Sequence, residues 1–232
     1  MGRDVIIACD FESKERLLEF LDPFEGKSLY LKVGMELFYA AGPDIIREIK
    51  KRGHKIFSDL KLHDIPTTVM KAMKVLSELD VDMCNLHASG TIAMMEAAIK
   101  GLTRPDGTRP LLIAVTQLTS TNQERMEQDL LIKEPIDKVV MHYASNAKAA
   151  GLDGVVCSAQ EAQKVHDTCG KEFLTVTPGI RFADGEVGDQ ARVMTPEQAN
   201  KIGSDYIVVG RPITAAPDPV AAYERCVREF VG

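Results

Sequence analysis

Eight short runs rich in β-branched and other apolar residues recur along the chain with helix-like segments between them, and this alternation restricts the fold more than any single motif. The runs are VIIACD, SLYLKVG, KIFSDLKL, VDMCNLHA, PLLIAVTQL, GVVCSA, FLTVTPGI and YIVVG. Between them SKERLLEFLDPF, GPDIIREIKKRG, IPTTVMKAMKVLSELD, GTIAMMEAAIKGLT, IDKVVMHYASNAKAAG and DPVAAYERCVREF space their apolar residues as helices do. Pro66, Pro196 and Pro219 stand where a first helical turn accepts proline, and Gly53 and Gly151 follow helix ends. Such alternation within 232 residues, without a linker or low-complexity tract, predicts a parallel α/β architecture. The count points to a closed (β/α)8 TIM barrel, a single domain over residues 1–232. An open doubly wound sheet fits less well, because CDFESKERL after the first run lacks the glycine signature of that fold.

Composition narrows the partners. Acidic side chains outnumber basic ones by 34 to 28, a formal charge of −6, and neither end carries a basic run, so nucleic acid is not expected as a partner. LLIAV and YIVV are far shorter than the roughly 20 residues that span a bilayer. The start MGRDVIIACDF places an aspartate where a signal peptide would continue its apolar stretch, so a cytoplasmic protein without membrane contact is expected. The five cysteines, Cys9, Cys84, Cys157, Cys169 and Cys226, are odd in number and form no C-x-x-C pair, which fits a reducing compartment. Several of them, with Met35, Met73, Met94 and Met95, lie in apolar stretches and read as core packing. No histidine spacing suits zinc, so no metal site is expected.

In barrels of this kind chemistry sits at the C-terminal ends of the strands. Those ends are polar here: Asp10 after the first run, Lys32 in the second, Asp59 and Lys61 in the third with Asp64 just beyond, and Asn85 and His87 in the fourth. In FSDLKLHDIP a period of two puts Asp59 and Lys61 on one face and Leu60 and Leu62 on the other. Two acids and two bases aimed at one mouth are costly unless mutually paired, so Asp10, Lys32, Asp59 and Lys61 read as a site. Asp64, ahead of Pro66, also fits a helix-start residue. His63 and His87 read as structural or peripheral.

A second cluster lies at the seventh and eighth strands. IVVGRPIT ends a strand in Gly210, whose N–H can approach a ligand closely, followed by Arg211, able to pair with phosphate. Barrels often grip phosphate with the loops after strands seven and eight and a short extra helix, which RPITAAPDP can supply. RFADGEVGDQARVMTP, with Arg181 at its start and Gln190 near its middle, is long for such a loop and suited to close over a ligand or to remain an ordinary mobile loop.

The D-x-K-x-x-D pattern in SDLKLHDIPTTV, together with ACDF, LKVGMELF, TPGIR, GDQ and VVGRPI, resembles the bacterial orotidine 5′-phosphate decarboxylases over nearly the whole chain. The resemblance implies conversion of orotidine 5′-phosphate to uridine 5′-phosphate in a homodimeric barrel with no metal or organic cofactor. By it Lys32, Asp59 and Lys61 act in one subunit's site, and Asp64, with Ile65 and Thr68 nearby, reaches into the partner's. It further implies that Lys61 protonates C6, Asp10 binds ribose hydroxyls, Thr119 bonds the pyrimidine edge, and Pro178 borders the base. Arg181, Gln190, Gly210 and Arg211 match phosphate-binding positions. Two alternatives stand beside it. Magnesium-dependent 3-keto-gulonate 6-phosphate decarboxylases share the D-x-K-x-x-D strand but place a glutamate ligand where this chain has Lys32, and a lysine would repel the cation. A non-catalytic barrel that binds nucleotide phosphate would have no need of the paired acids and bases.

Overall fold

In the computed structural model, which describes residues 3–184 and 194–232, each of the eight runs contributes one strand. They are β1 (Asp4–Ala8), β2 (Tyr30–Gly34), β3 (Lys55–Leu62), β4 (Met83–His87), β5 (Leu111–Val115), β6 (Gly154–Val156), β7 (Leu174–Thr177) and β8 (Tyr206–Val209). Each pairs in parallel with the next, and β8 returns to β1, closing the expected barrel. The helices are α1 (Lys14–Leu21), α2 (Met35–Ala41), α3 (Asp44–Lys51), α4 (Pro66–Glu78), α5 (Thr91–Leu102) and α6 (Gln123–Gln128). There follow α7 (Ile136–Ala149), α8 (Ala162–Cys169), α9 (Pro196–Ile202), α10 (Arg211–Thr214) and α11 (Pro219–Phe230).

The strand period of two sorts the apolar residues between two cores. Ile6, Tyr30, Phe57, Met83, Ile113, Val176 and Val208 point inward and pack together in the barrel interior. Their neighbours Val5, Leu31, Ile56, Cys84, Leu112 and Ile207 face outward and join the larger core under the helices. Parallel strands buried on both faces therefore read as continuous apolar runs. Except for β3, the strands are shorter than the runs that announced them. β5 stops at Val115 and β7 at Thr177; Thr116 still donates its N–H to the Val156 carbonyl at 3.2 Å, and QLTS and PGIR continue beyond the strands.

Pro66, Pro196 and Pro219 each open a helix, and Gly53 and Gly151, beyond α3 and α7, take left-handed φ of 82° and 87°. Helices α2, α6 and α8 do not announce themselves, because MELFYAA is apolar almost throughout and QERMEQ and AQKVHDTC hold few strongly apolar residues, whereas α3, no longer than α8, sets Ile45, Ile46 and Ile49 against charges. Gly101 marks a close approach: a Cβ there would lie 2.0 Å from the Met70 carbonyl oxygen, so α5 presses directly on the α4 backbone. All five cysteines are free and buried, as are Met73, Met94 and Met95. Met35 departs from the core expectation at 47% exposed, because it opens α2 on the upper rim.

The lower rim is built with one repeated device. Asp82, Asp153 and Asp205 stand immediately before β4, β6 and β8, and each carboxylate accepts the backbone N–H of the preceding strand, from Ile56 (2.7 Å), Leu112 (2.7 Å) and Thr175 (2.8 Å). Each also meets a basic group from outside the barrel: Lys50 at 3.1 Å, Arg109 through Nη2 at 2.9 Å, and His166 Nε2 at 3.0 Å. Strand N–H groups that precede the ladder thus find partners that would otherwise have to be water.

Candidate active site

The inward positions of β2, β3 and β4 change character as they rise. Tyr30, Phe57 and Met83 belong to the interior core, and two residues later Lys32, Asp59 and Asn85 stand at the mouth. The same pleat that fills the barrel therefore stacks a polar tier above it. Asp59 and Lys61 share a face as expected, with Leu60 and Leu62 packed against the outer core.

The pleat is not straight there. Ser58 pairs with Cys84 and Leu62 with Leu86, so three residues of β3 answer the single Asn85 of β4. Within this bulge Lys61 adopts a φ of 51°, a left-handed conformation that a residue with a Cβ resists at about 1–3 kcal/mol. The Lys61 N–H, out of the ladder, donates to Asn85 Oδ1 at 2.8 Å.

Asp59 is the hub. Its Oδ1 accepts from Lys61 Nζ at 2.7 Å and from Asn85 Nδ2 at 2.7 Å, while Oδ2 lies 3.3 Å from Lys32 Nζ. Lys32 Nζ also donates to Asp10 Oδ1 at 2.9 Å, so the four charges run Asp10, Lys32, Asp59, Lys61 with alternating sign. Burial alone would raise the Asp59 carboxyl, but Lys32 and Lys61, with the hydrogen bonds from Lys61 and Asn85, hold it below its ordinary range. Burial opposes the Lys32 charge, yet Asp59 and Asp10 raise its pKa and keep it an ammonium. Gly34, opposite Asp59 in the sheet, leaves room for this row: a Cβ there would sit 3.1 Å from both Asp10 Oδ1 and Lys32 Nζ.

Beside the charges lies a cavity of about 190 Å³, lined at one end by Lys32, Asp59 and Lys61. Phe57, Val115, Val156, Val176 and Val208 supply an apolar wall, and Gln117, Thr119 and Pro178 complete the rim. A flat, partly apolar ring with a polar edge suits such a space. Thus Lys32, Asp59, Lys61, Thr119 and Pro178 converge on one cavity, and Asp10 joins through Lys32. Asp64 and Ile65, on the segment leading into α4, and Thr68, in its first turn, are exposed and lie outside the cavity lining of this chain. Asp64 Oδ1 accepts the Ile65 N–H at 2.6 Å, so the helix-start reading also describes it. Gly210 and Arg211 open α10 directly after β8. Arg181 follows β7, where its N–H donates to the Met194 carbonyl at 3.0 Å. Gln190 lies outside the described residues. His63 and His87 rest beside each other, ring centroids 5.6 Å apart.

Asn85 stands at a strand end with no role that its local sequence signals, and neither Gln117 nor the cavity wall belongs to a recognisable motif. Counting by twos from Met83 would have placed Asn85 in the tier of Asp59. Among the described residues, no group of three or more His, Cys, Asp or Glu side chains could hold a metal ion, and no helix is long and apolar enough to cross a membrane.

A family model described as the orotidine 5′-phosphate decarboxylase / HUMPS family matches residues 3–226. The chain belongs to this family. A curated relative, the orotidine 5′-phosphate decarboxylase of Geobacillus thermodenitrificans, is 55% identical over 235 residues, covering 100% of this chain and 98% of that one. Among solved structures, orotidine 5′-phosphate decarboxylase from Lactobacillus acidophilus superposes with a TM-score of 0.88 at 41% identity, with 100% of both chains covered. An uncharacterized conserved protein from Geobacillus kaustophilus gives the same TM-score, 0.88, at 47% identity over 97% of this chain and 99% of that one. The family membership agrees with the resemblance that the strand-end motifs carry.

Proposed function

We propose that this chain decarboxylates orotidine 5′-phosphate to uridine 5′-phosphate, the last step of de novo pyrimidine nucleotide synthesis. The observation that carries the reading is the buried Asp59 carboxylate held between two lysine ammonium groups at one end of a cavity with an apolar wall. Loss of carbon dioxide from C6 leaves an electron pair in the plane of the pyrimidine, where the ring π-system cannot delocalise it. Stabilisation must therefore come from a fixed positive charge aimed at that carbon. Lys61 suits this role, since its ammonium favours the carbanion and then gives C6 its proton. Asp59 holds the Lys61 ammonium in place and stands against the leaving carboxylate. Lys32, anchored by Asp10 and Asp59, orders the ribose hydroxyls together with Asp10.

In this reading Thr119 bonds the pyrimidine edge and Pro178 borders the base. Arg181, Gln190, Gly210 and Arg211 take the phosphate, and binding energy gathered there helps drive the reaction at the distant carbon. The enzyme works as a homodimer in which Asp64, Ile65 and Thr68 complete the partner's site. Their exposure in a single chain leaves them available for this, with Ile65 67% exposed. Mixing Lys61→Ala with Asp64→Ala protein tests it, because a hybrid dimer regains one intact site and hence activity. A mixture as inactive as its parts contradicts the shared site.

No metal is needed, since Lys32 and Lys61 already carry the positive charge a cation would bring and would repel one. The test is loss of orotate absorbance on adding the purified protein to orotidine 5′-phosphate with excess chelator. Turnover unaffected by chelator is expected. Turnover that chelator abolishes, or none from folded protein, overturns the proposal in favour of a magnesium-dependent sister reaction or a binding-only barrel.

A further inference from the structure

The strand-three bulge raises a structural problem that one side chain solves. Because three residues of β3 face one of β4, the Lys61 N–H has no ladder carbonyl, and Asp59 would meet its neighbour strand without a donor. Asn85, 1% exposed, sits opposite this gap and uses both ends of its amide: Oδ1 accepts from the Lys61 N–H and Nδ2 donates to Asp59 Oδ1, at 2.8 and 2.7 Å. Lys61 Nζ donates to the same Asp59 oxygen, which closes a ring from the Lys61 backbone through Asn85 and Asp59 to the Lys61 side chain.

We propose that Asn85 is a positioning residue that sets the Lys61 ammonium and the Asp59 carboxylate at their working geometry by clamping the bulge from β4. The role extends the reading of the site given above, and needs a side chain that donates and accepts at once over this distance. Aspartate can accept from the Lys61 N–H but sets a second carboxylate against Asp59. Serine is too short to span both partners, and alanine removes both bonds. The left-handed φ of Lys61 makes the clamp necessary, because nothing intrinsic to lysine favours 51°. Freed of it, β3 can relax toward a regular strand. That moves the ammonium by a distance of the order of 1 Å, enough to cost about 10²-fold in rate.

The experiment compares the parent, Asn85→Ala and Asn85→Asp, each confirmed as folded by circular dichroism. Three quantities are read: kcat and KM for orotidine 5′-phosphate, and the Asp59 carboxyl titration followed by carbon-13 NMR. For Asn85→Ala a fall in kcat on the order of 10²-fold is expected, with KM changed less than about threefold. The Asp59 titration should move upward, because a donor to its charged form is gone. For Asn85→Asp activity should recover relative to the parent as pH falls, since a proton shared by the two carboxyls restores a donor toward Asp59. A kcat in Asn85→Ala within about threefold of the parent would overturn the proposal. So would an unmoved Asp59 titration, or a uniform loss in Asn85→Asp at every pH, which marks a merely structural amide. The titration answers even if the parent fails to turn over orotidine 5′-phosphate, so failure of the reaction assignment and failure of the clamp are read separately.

Discussion

The two rims of the barrel use aspartate in opposite ways. At the lower rim Asp82, Asp153 and Asp205 each take one backbone N–H and meet one basic side chain from outside the barrel, so each carboxylate is tied to the sheet and partnered locally. At the upper rim Asp59 takes its hydrogen bonds from side chains, Lys61 and Asn85, with Lys32 close by. An aspartate that holds backbone fixes a strand end, whereas one that holds ammonium groups beside a cavity keeps charge poised for a ligand. The difference is what separates a stabilising face from a reacting face in this architecture.

Substitutions can break that contrast or sharpen it. Lys61 aside, the largest effect is expected at Lys32→Ala, where kcat falls by about 10²–10³-fold in folded protein, measured by orotate absorbance. Arg211→Ala follows, with the affinity for uridine 5′-phosphate weakened by about 1.5–3 kcal/mol and that for uridine unchanged, measured by calorimetry. Equal losses for nucleotide and nucleoside would remove the phosphate assignment. Asp153→Ala belongs to the other rim: it strands the buried Leu112 N–H and unpairs Arg109, so unfolding free energy falls by about 1–3 kcal/mol in urea while kcat stays within about twofold. A collapse of kcat in folded Asp153→Ala would blur the two rims into one.

The smallest effect concerns acid. Because the folded Asp59 carboxyl is held below its ordinary value of 3.8, its ionised form contributes stability that is complete above that value and is lost as pH falls through the lower folded one. The stability advantage of the parent over Asp59→Asn should therefore persist from pH 7 to about pH 4 and shrink only below that, in urea melts across the range. Shrinkage already by about pH 6 would contradict the electrostatic picture of the hub.

How much of this was legible beforehand differs between the rims and between the strands. Eight apolar runs gave the barrel because parallel strands buried on both faces leave unbroken apolar stretches, and Asp59 and Lys61 were placed by their period of two. The bulge was not legible, since a left-handed φ at Lys61 is set by the pairing of β3 with β4 and lysine carries no signal for it. Asn85 went unassigned for the same reason: its partners come from another strand. The lower-rim carboxylates were hidden too, because an aspartate before a strand looks in sequence like any turn residue. Helices α2, α6 and α8 escaped because their short segments lack the contrast of apolar and polar positions that α1 and α3, at the same length, display.

Lys61 is the charge proposed to stabilise and then protonate C6, and the direct measurement is kcat of purified, folded Lys61→Ala alongside its affinity for uridine 5′-phosphate. A loss of at least about 10⁴-fold in turnover with product binding retained is expected. Near-parental turnover by that variant would contradict it.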